Sequence, residues 1–256
     1  MKGVEGLFLT FSAVGSIIII ILLIPMVLAP LMTNPSQLAE AITDPEILGA
    51  LYVTFSAATM ATLIALVFGV PLAYVMARRE FAFKGILESI LNIPLTIPHS
   101  VAGILVLLAY HSRTQIGSLL SNLGIVVEDT IWGITLAMLF VSSPILISSA
   151  KAGFSMIDEN LEYVARTLGA NHYKTFFTVT LPLALRAIAS GAILTWTRSV
   201  SEVGALLIVA PYPRSIALLV IQRFEAFGLS SALPITVILL GISLVIVLIT
   251  TRILRR

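Results

Sequence analysis

Five stretches of this chain contain no Asp, Glu, Lys or Arg: 7–32, 47–77, 89–110, 130–150 and 226–251. Each exceeds the ~20 residues that a helix needs to cross a hydrocarbon core about 30 Å thick. In lipid such a run must satisfy its backbone donors and acceptors internally, which a helix does. A sixth apolar stretch, 183–211, holds Arg186 near its start and two charges deeper within it, Arg198 and Glu202. With 58% hydrophobic and 11% charged residues, the chain is far from a soluble domain, where about a quarter of residues are charged. The expectation is an all-α, polytopic membrane protein with six transmembrane helices, spanning about 7–32, 47–77, 86–110, 130–151, 183–211 and 226–252. All 256 residues then form one transmembrane domain.

Six spans place both termini on one side, and the basic residues choose which. Lys2, Arg78, Arg79, Lys84, Lys151, Arg166, Lys174, Arg186, Arg252, Arg255 and Arg256 share the terminal side, while Arg113, Arg214 and Arg223 fall on the other. Lysine and arginine accumulate in cytoplasmic loops. The termini and the 151–186 loop are therefore expected in the cytoplasm, with the chain in the cell (plasma) membrane. The first apolar run is too long for a signal-peptide core and reads as an uncleaved first helix. There is no cysteine, which excludes thiol and disulfide chemistry. The basic residues cluster at helix ends, as membrane topology requires, so the net charge of +2 does not point to nucleic acid.

The longest polar segment is Ser155–Pro182, SMIDENLEYVARTLGANHYKTFFTVTLP. Leu161, Val164, Ala165 and Leu168 follow the spacing of one apolar helical face. Asp158, Glu159, Glu162 and Arg166 fall largely on the other side. Ser155 with Asp158 fits a capping box, Gly169 a left-handed stop, and Asn171 the N-cap of a second turn carrying Tyr173, Phe176 and Phe177. The segment 155–177 thus reads as an amphipathic helix at the membrane surface. It packs either on its own protein or on a second one.

Two intramembrane places are polar. Asn92 to Ser100 contains Pro94 and Pro98 four residues apart, with Thr96, His99 and Ser100. Prolines at membrane depth free backbone carbonyls, which need other partners or water. Either the broken helix is buried in a bundle with His99 on a backbone carbonyl, or these residues line a pore. In the fifth span Arg198 lies about 24 Å along the helix from Pro182, at ~1.5 Å per residue. Glu202 follows one turn later, and Thr195, Arg198, Ser199 and Glu202 form a polar stripe. Charges in lipid pair and face inward by default, so an ion pair locking the helices is favoured over direct contact with a substrate.

The run Glu162-Tyr163-Val164-Ala165-Arg166-Thr167-Leu168-Gly169, followed by Phe176-Phe177 and Leu181-Pro182, resembles the coupling-loop motif of ABC importer permeases. That motif reads Glu-Ala-Ala, three residues, Gly, and later Leu-Pro. Counted back from Gly169, the family's Glu-Ala-Ala falls on Tyr163-Val164-Ala165, so the last alanine alone is kept and the nearest acid is Glu162. IPHSVAGI at 97–104 and Arg198 to Ala205 are similar to segments of the molybdate/tungstate permease group, which favours the pore reading. The resemblance covers about residues 45–250. It implies that Leu161, Glu162, Val164, Ala165, Arg166, Leu168, Gly169, Ala170 and Tyr173 dock on an ATPase subunit. It further implies that Pro94, Thr96, Pro98, His99, Ser100, Arg198, Ser201 and Glu202 form the pore and its gate. The implied assembly is two copies of this chain in the bilayer, two cytoplasmic ATPase subunits and an external substrate-binding protein. The implied cargo is molybdate or tungstate, with sulfate as the alternative.

His99, His111 and His172 are far apart in sequence and make no metal-ligand spacing. Around 168–175 the two glycine positions of a phosphate loop are Leu168 and Tyr173. No cofactor is therefore expected on this chain, with ATP and magnesium on the partner. An ion-driven transporter should show two related halves with broken helices and more intramembrane carboxylates than Glu202. An intramembrane enzyme needs a nucleophile–base or metal set, and none is visible.

Overall fold

The computed structural model describes the backbone of residues 2–254 and the side chains of 7–248 and 250–252. The side chains of Lys2, Arg255 and Arg256, counted above toward topology, lie outside the described residues. Among those described, every regular element is helical. In order they are α1 (Lys2–Met32), α2 (Pro35–Thr43), α3 (Pro45–Arg78), α4 (Lys84–Asn92), α5 (His99–Tyr110), α6 (Gln115–Asn122) and α7 (Ile131–Ser155). They continue as α8 (Glu159–Thr167), α9 (His172–Thr175), α10 (Leu181–Val200), α11 (Leu206–Val209), α12 (Ile216–Phe227) and α13 (Leu229–Leu254). Five helical stretches are long and apolar enough to cross a membrane, and six if the bent pair Lys84–Leu95 and His99–Tyr110 is one span.

The helices form two compact units, one of Met1–Leu48 with Val220–Arg252, the other containing Gly49–Leu219. In the first, α1 carries no charge from Leu7 to Met32, and no residue in that run is buried. The region 33–46, whose Asn-Pro and Asp-Pro dipeptides are turn signals in sequence, contains α2. Asn-Pro and Asp-Pro here act as helix starts. Asn34 accepts a hydrogen bond from the Ser36 amide, Asp44 accepts one from the Glu46 amide at 2.8 Å, and each following proline takes a first helical position. Arg223 of α12 donates to Asp44 at 3.2 Å and to Glu46 at 2.5 Å.

The second unit holds the buried core. One cluster joins α3, α5, α7, α11 and α12 through Ala57, Ala61, Ala102, Met138, Leu206 and Leu218. The other joins α3, α7 and α10 through Ala73, Met76, Leu146, Phe154 and Ala184. Small residues let these helices approach closely, as in lipid where packing rather than water exclusion holds helices together. Ser142 and Ser199 share a hydrogen bond of 2.8 Å between α7 and α10, and Thr195 donates to the Ser142 carbonyl at 3.3 Å. The polar stripe of the fifth span therefore divides: Thr195 and Ser199 hold α7, and the charges face elsewhere.

Three expected spans have different courses. The region 86–110 is two helices bent by 114°. A 3₁₀ turn holds Pro94, and Pro98 is extended at φ −56° and ψ 137°. Proline offers no amide to continue the ladder and disfavours helical geometry in the residue before it. The region 183–211 is one helix only to Val200; α11 follows after a turn. The last span begins at Leu229 rather than 226, because Gly228 at φ +80° separates it from α12.

Candidate functional site

The turn after α10 is built around the Glu202 carboxylate, which is 1% exposed. Its Oε1 accepts from the Ala205 amide at 2.9 Å, and its Oε2 accepts from Arg198 Nη2 at 2.9 Å. The Ser201 hydroxyl donates to the Arg198 carbonyl at 3.0 Å. Side chains thus take the groups that a continuing helix would use, and the helix stops. His99, the first residue of α5, completes the cluster. Its Nδ1 lies 3.2 Å from Glu202 Oε2, and Arg198 Nη2 lies 2.8 Å from its Nε2. Arg198 Nη2 also lies 3.0 Å from His99 Nδ1, so the guanidinium stands against both ring nitrogens. Gly204 permits this approach, since a Cβ there would stand 2.7 Å from His99 Cβ.

The ion pair expected of Arg198 and Glu202 is present, and the partner of His99 is this pair rather than a backbone carbonyl. The rest of the predicted pore set lies around it in several environments. Pro94 is buried; Thr96, Pro98, Ser100 and Ser201 are exposed; His99 and Arg198 are half-buried. One end of the cluster is therefore sealed by Glu202 and the other is an accessible polar surface.

Towards the other end of α10 lies α8. Asp158 caps it by accepting from the Asn160 amide at 2.9 Å, while Ser155 is the last residue of α7 and takes no part in a capping box. Gly169 ends it at φ +90°, and Asn171 caps α9 by accepting from the Lys174 amide at 2.8 Å. A π-helical turn, Phe176–Thr180, carries the chain into α10.

The burial of α8 reverses its amphipathic pattern. Leu161, Val164 (56% exposed), Leu168 (83% exposed) and, beyond it, Tyr173 are open. Gly169 is also exposed, and Ala165, Arg166 and Ala170 are half-buried. Arg166 lies over the Tyr163 ring at 4.5 Å. Glu162, expected on the polar outer side, points inward: it accepts from Arg78 Nε at 2.9 Å and from the Tyr74 hydroxyl at 3.1 Å. In sequence Arg78 is one of the basic residues that set topology, and Tyr74 is not singled out. The only signal was Arg78-Arg79 at the end of a span.

The fold is one seen in transport complexes. A chain of a bacterial ABC transporter involved in the import of the acidic polysaccharide alginate superposes with a TM-score of 0.70 at 18% identity, covering 100% of this chain and 98% of the other. A chain of the MetNI methionine ABC transporter gives 0.62 at 18% identity, covering 82% and 94%. The chain belongs to the family of binding-protein-dependent transport system inner membrane components, whose model matches residues 69–256.

Among its relatives are proteins named as molybdate/tungstate transport system permeases. The one from Pyrococcus abyssi is 43% identical over 248 residues, covering 95% of this chain and 94% of that protein. The one from Methanocaldococcus jannaschii is 41% identical, covering 89% and 90%. A probable sulfate transport system permease of Nephroselmis olivacea is 36% identical, covering 83% and 76%.

Proposed function

We propose that this chain is the permease of an ATP-driven importer that carries molybdate or tungstate across the cell membrane. It works by alternating access, coupled to a separate ATPase subunit. The observation that carries the coupling is α8, which exposes Leu161, Val164 and Leu168 on one face while its glutamate is turned inward. A helix in water normally does the opposite, and an exposed apolar face of this kind marks a surface that a partner covers. The basic residues of the adjoining loops put α8 in the cytoplasm, where ATP is found. ATP and its Mg²⁺ are then bound by the partner, an external binding protein delivers the anion, and two copies of this chain enclose the path. The identity to molybdate/tungstate permeases over nearly the whole chain supports the cargo.

The complex with its ATPase, reconstituted in vesicles, tests the cargo. A tungstate-loaded binding protein is expected to stimulate ATP hydrolysis several-fold and a sulfate-loaded one to leave it near the basal rate. The reverse order would assign the chain to sulfate.

The polar surface of Thr96, His99, Ser100, Arg198 and Ser201 forms the gate of the path in this reading. Because the chain has no cysteine of its own, single cysteines at Ser100 and Ser201 report water access directly. Both are expected to react with small water-soluble thiol reagents in at least one state of the ATP cycle. Protection of both in every state would remove them from the path.

A further inference from the structure

Glu162 is the single buried residue of α8. An amphipathic helix normally attaches by an apolar face, but this one attaches through a carboxylate. Arg78, the last residue of α3, supplies the other half. All three guanidinium nitrogens are used: Nε donates to Glu162, Nη1 to the Phe154 carbonyl at 2.8 Å, and Nη2 to the Ile157 carbonyl at 3.1 Å. Phe154 belongs to the last turn of α7, whose carbonyls have no partner within the helix, and a cation is favoured there. Ile157 lies in the three-residue link between α7 and α8. One planar fork thus ties α3 to the end of α7, to the link and to α8. The pair is nearly sealed from solvent, with side-chain exposures of 9% for Arg78 and 12% for Glu162. Tyr74, one turn back on α3, fills the remaining carboxylate oxygen, and its ring packs edge-on against Phe154 and Phe176 at centroid distances of 5.3 and 4.9 Å.

We infer that Arg78 is a positioning residue for energy coupling: it makes α8 move as one body with α3 and α7, so that a displacement of α8 reaches the membrane helices. The inference rests on α8 being the ATPase-docking helix. The apolar cluster of Met76, Leu146, Phe154 and Ala184 already holds α3, α7 and α10 together without Arg78. What the clamp adds is a direct tie from α8 to α3 and to the end of α7; its other close neighbours are α9 and the π-helical turn Phe176–Thr180. Charge-assisted hydrogen bonds are directional, so they hold a helix in register where an apolar contact would let it slide. A lysine at position 78 offers one point charge and cannot reach Glu162 and both carbonyls together.

The test uses the whole complex in vesicles, with tungstate uptake and ATP hydrolysis measured together. Arg78→Ala is expected to bind the ATPase and hydrolyse ATP, yet to lose tungstate uptake at least tenfold, so that more ATP is consumed per anion. Arg78→Lys should recover only part of the coupling. Should Arg78→Ala not assemble, Tyr74→Phe and Glu162→Gln decide, since each weakens the clamp without removing the guanidinium. A raised ATP cost per anion in both supports the inference, and an unchanged ratio overturns it. An Arg78→Ala complex that assembles and keeps wild-type uptake per ATP overturns the inference alone. A wild-type chain that does not associate with any ATPase through α8 is a different result, and it overturns the reading of α8 itself.

Discussion

Glu202→Ala is expected to be the most damaging single substitution in the membrane region. The carboxylate is fully enclosed and serves Arg198, His99 and the Ala205 amide at once. Its loss strands a half-buried guanidinium and opens the turn that ends α10. Breaking a buried ion pair by deleting one partner costs roughly 3–5 kcal/mol. A detergent-solubilised complex carrying Glu202→Ala should therefore unfold at markedly lower temperature or fail to accumulate. The double variant Arg198→Met/Glu202→Gln separates structure from cargo binding. Glutamine still accepts from the Ala205 amide and reaches His99, and no uncompensated charge remains. With a locking role for the pair, the double variant folds and retains most uptake. A folded double variant that couples ATP hydrolysis normally yet imports little tungstate would place Arg198 in contact with the anion.

The second large effect is expected on the exposed face of α8. Val164→Asp or Leu168→Asp puts a charge on the exposed face of α8, so folding should be little changed. If that face is desolvated against an ATPase subunit, such a position costs about 2 kcal/mol or more of binding, on the order of 30-fold in affinity. Copurification of the ATPase should fall accordingly while the permease still inserts in the membrane. Gly169→Val acts on the same element differently. Nothing lies within 4 Å of the space its Cβ would take, but φ of +90° disfavours a β-branched side chain by roughly 1–2 kcal/mol. The end of α8 should shift and docking weaken. Undiminished copurification in all three variants would deny α8 the role assigned to it.

How much of this was legible depends on how local the physics is. Gly169 and Asn171 could be placed from sequence because a left-handed stop and an N-cap are set by the residue itself. The helix break at Pro94 and Pro98 was legible for the same reason. The 114° bend was not, since its direction is fixed by the packing of α5 against α7 and α11. Asn34-Pro35 and Asp44-Pro45 are ambiguous in sequence, because such dipeptides serve both as turns and as helix starts. Ser155 was misplaced because α7 extends further than the loss of apolar character suggests. The inward turn of Glu162 was hidden by distance: its partners Arg78 and Tyr74 lie 84 and 88 residues earlier. The joining of His99 to Arg198, 99 residues apart, was hidden likewise; each residue was singled out, but nothing local pairs them.

The central claim is that a separate ATPase, acting through α8, drives oxyanion entry. It is tested most directly by uptake of radiolabelled tungstate into vesicles containing the wild-type complex, with loaded binding protein on one face and ATP supplied to the other. The account predicts uptake only when ATP is present on the α8 side, no uptake when a proton or sodium gradient replaces ATP, and loss of uptake in Val164→Asp. Tungstate entry driven by an ion gradient in the absence of ATP would contradict it.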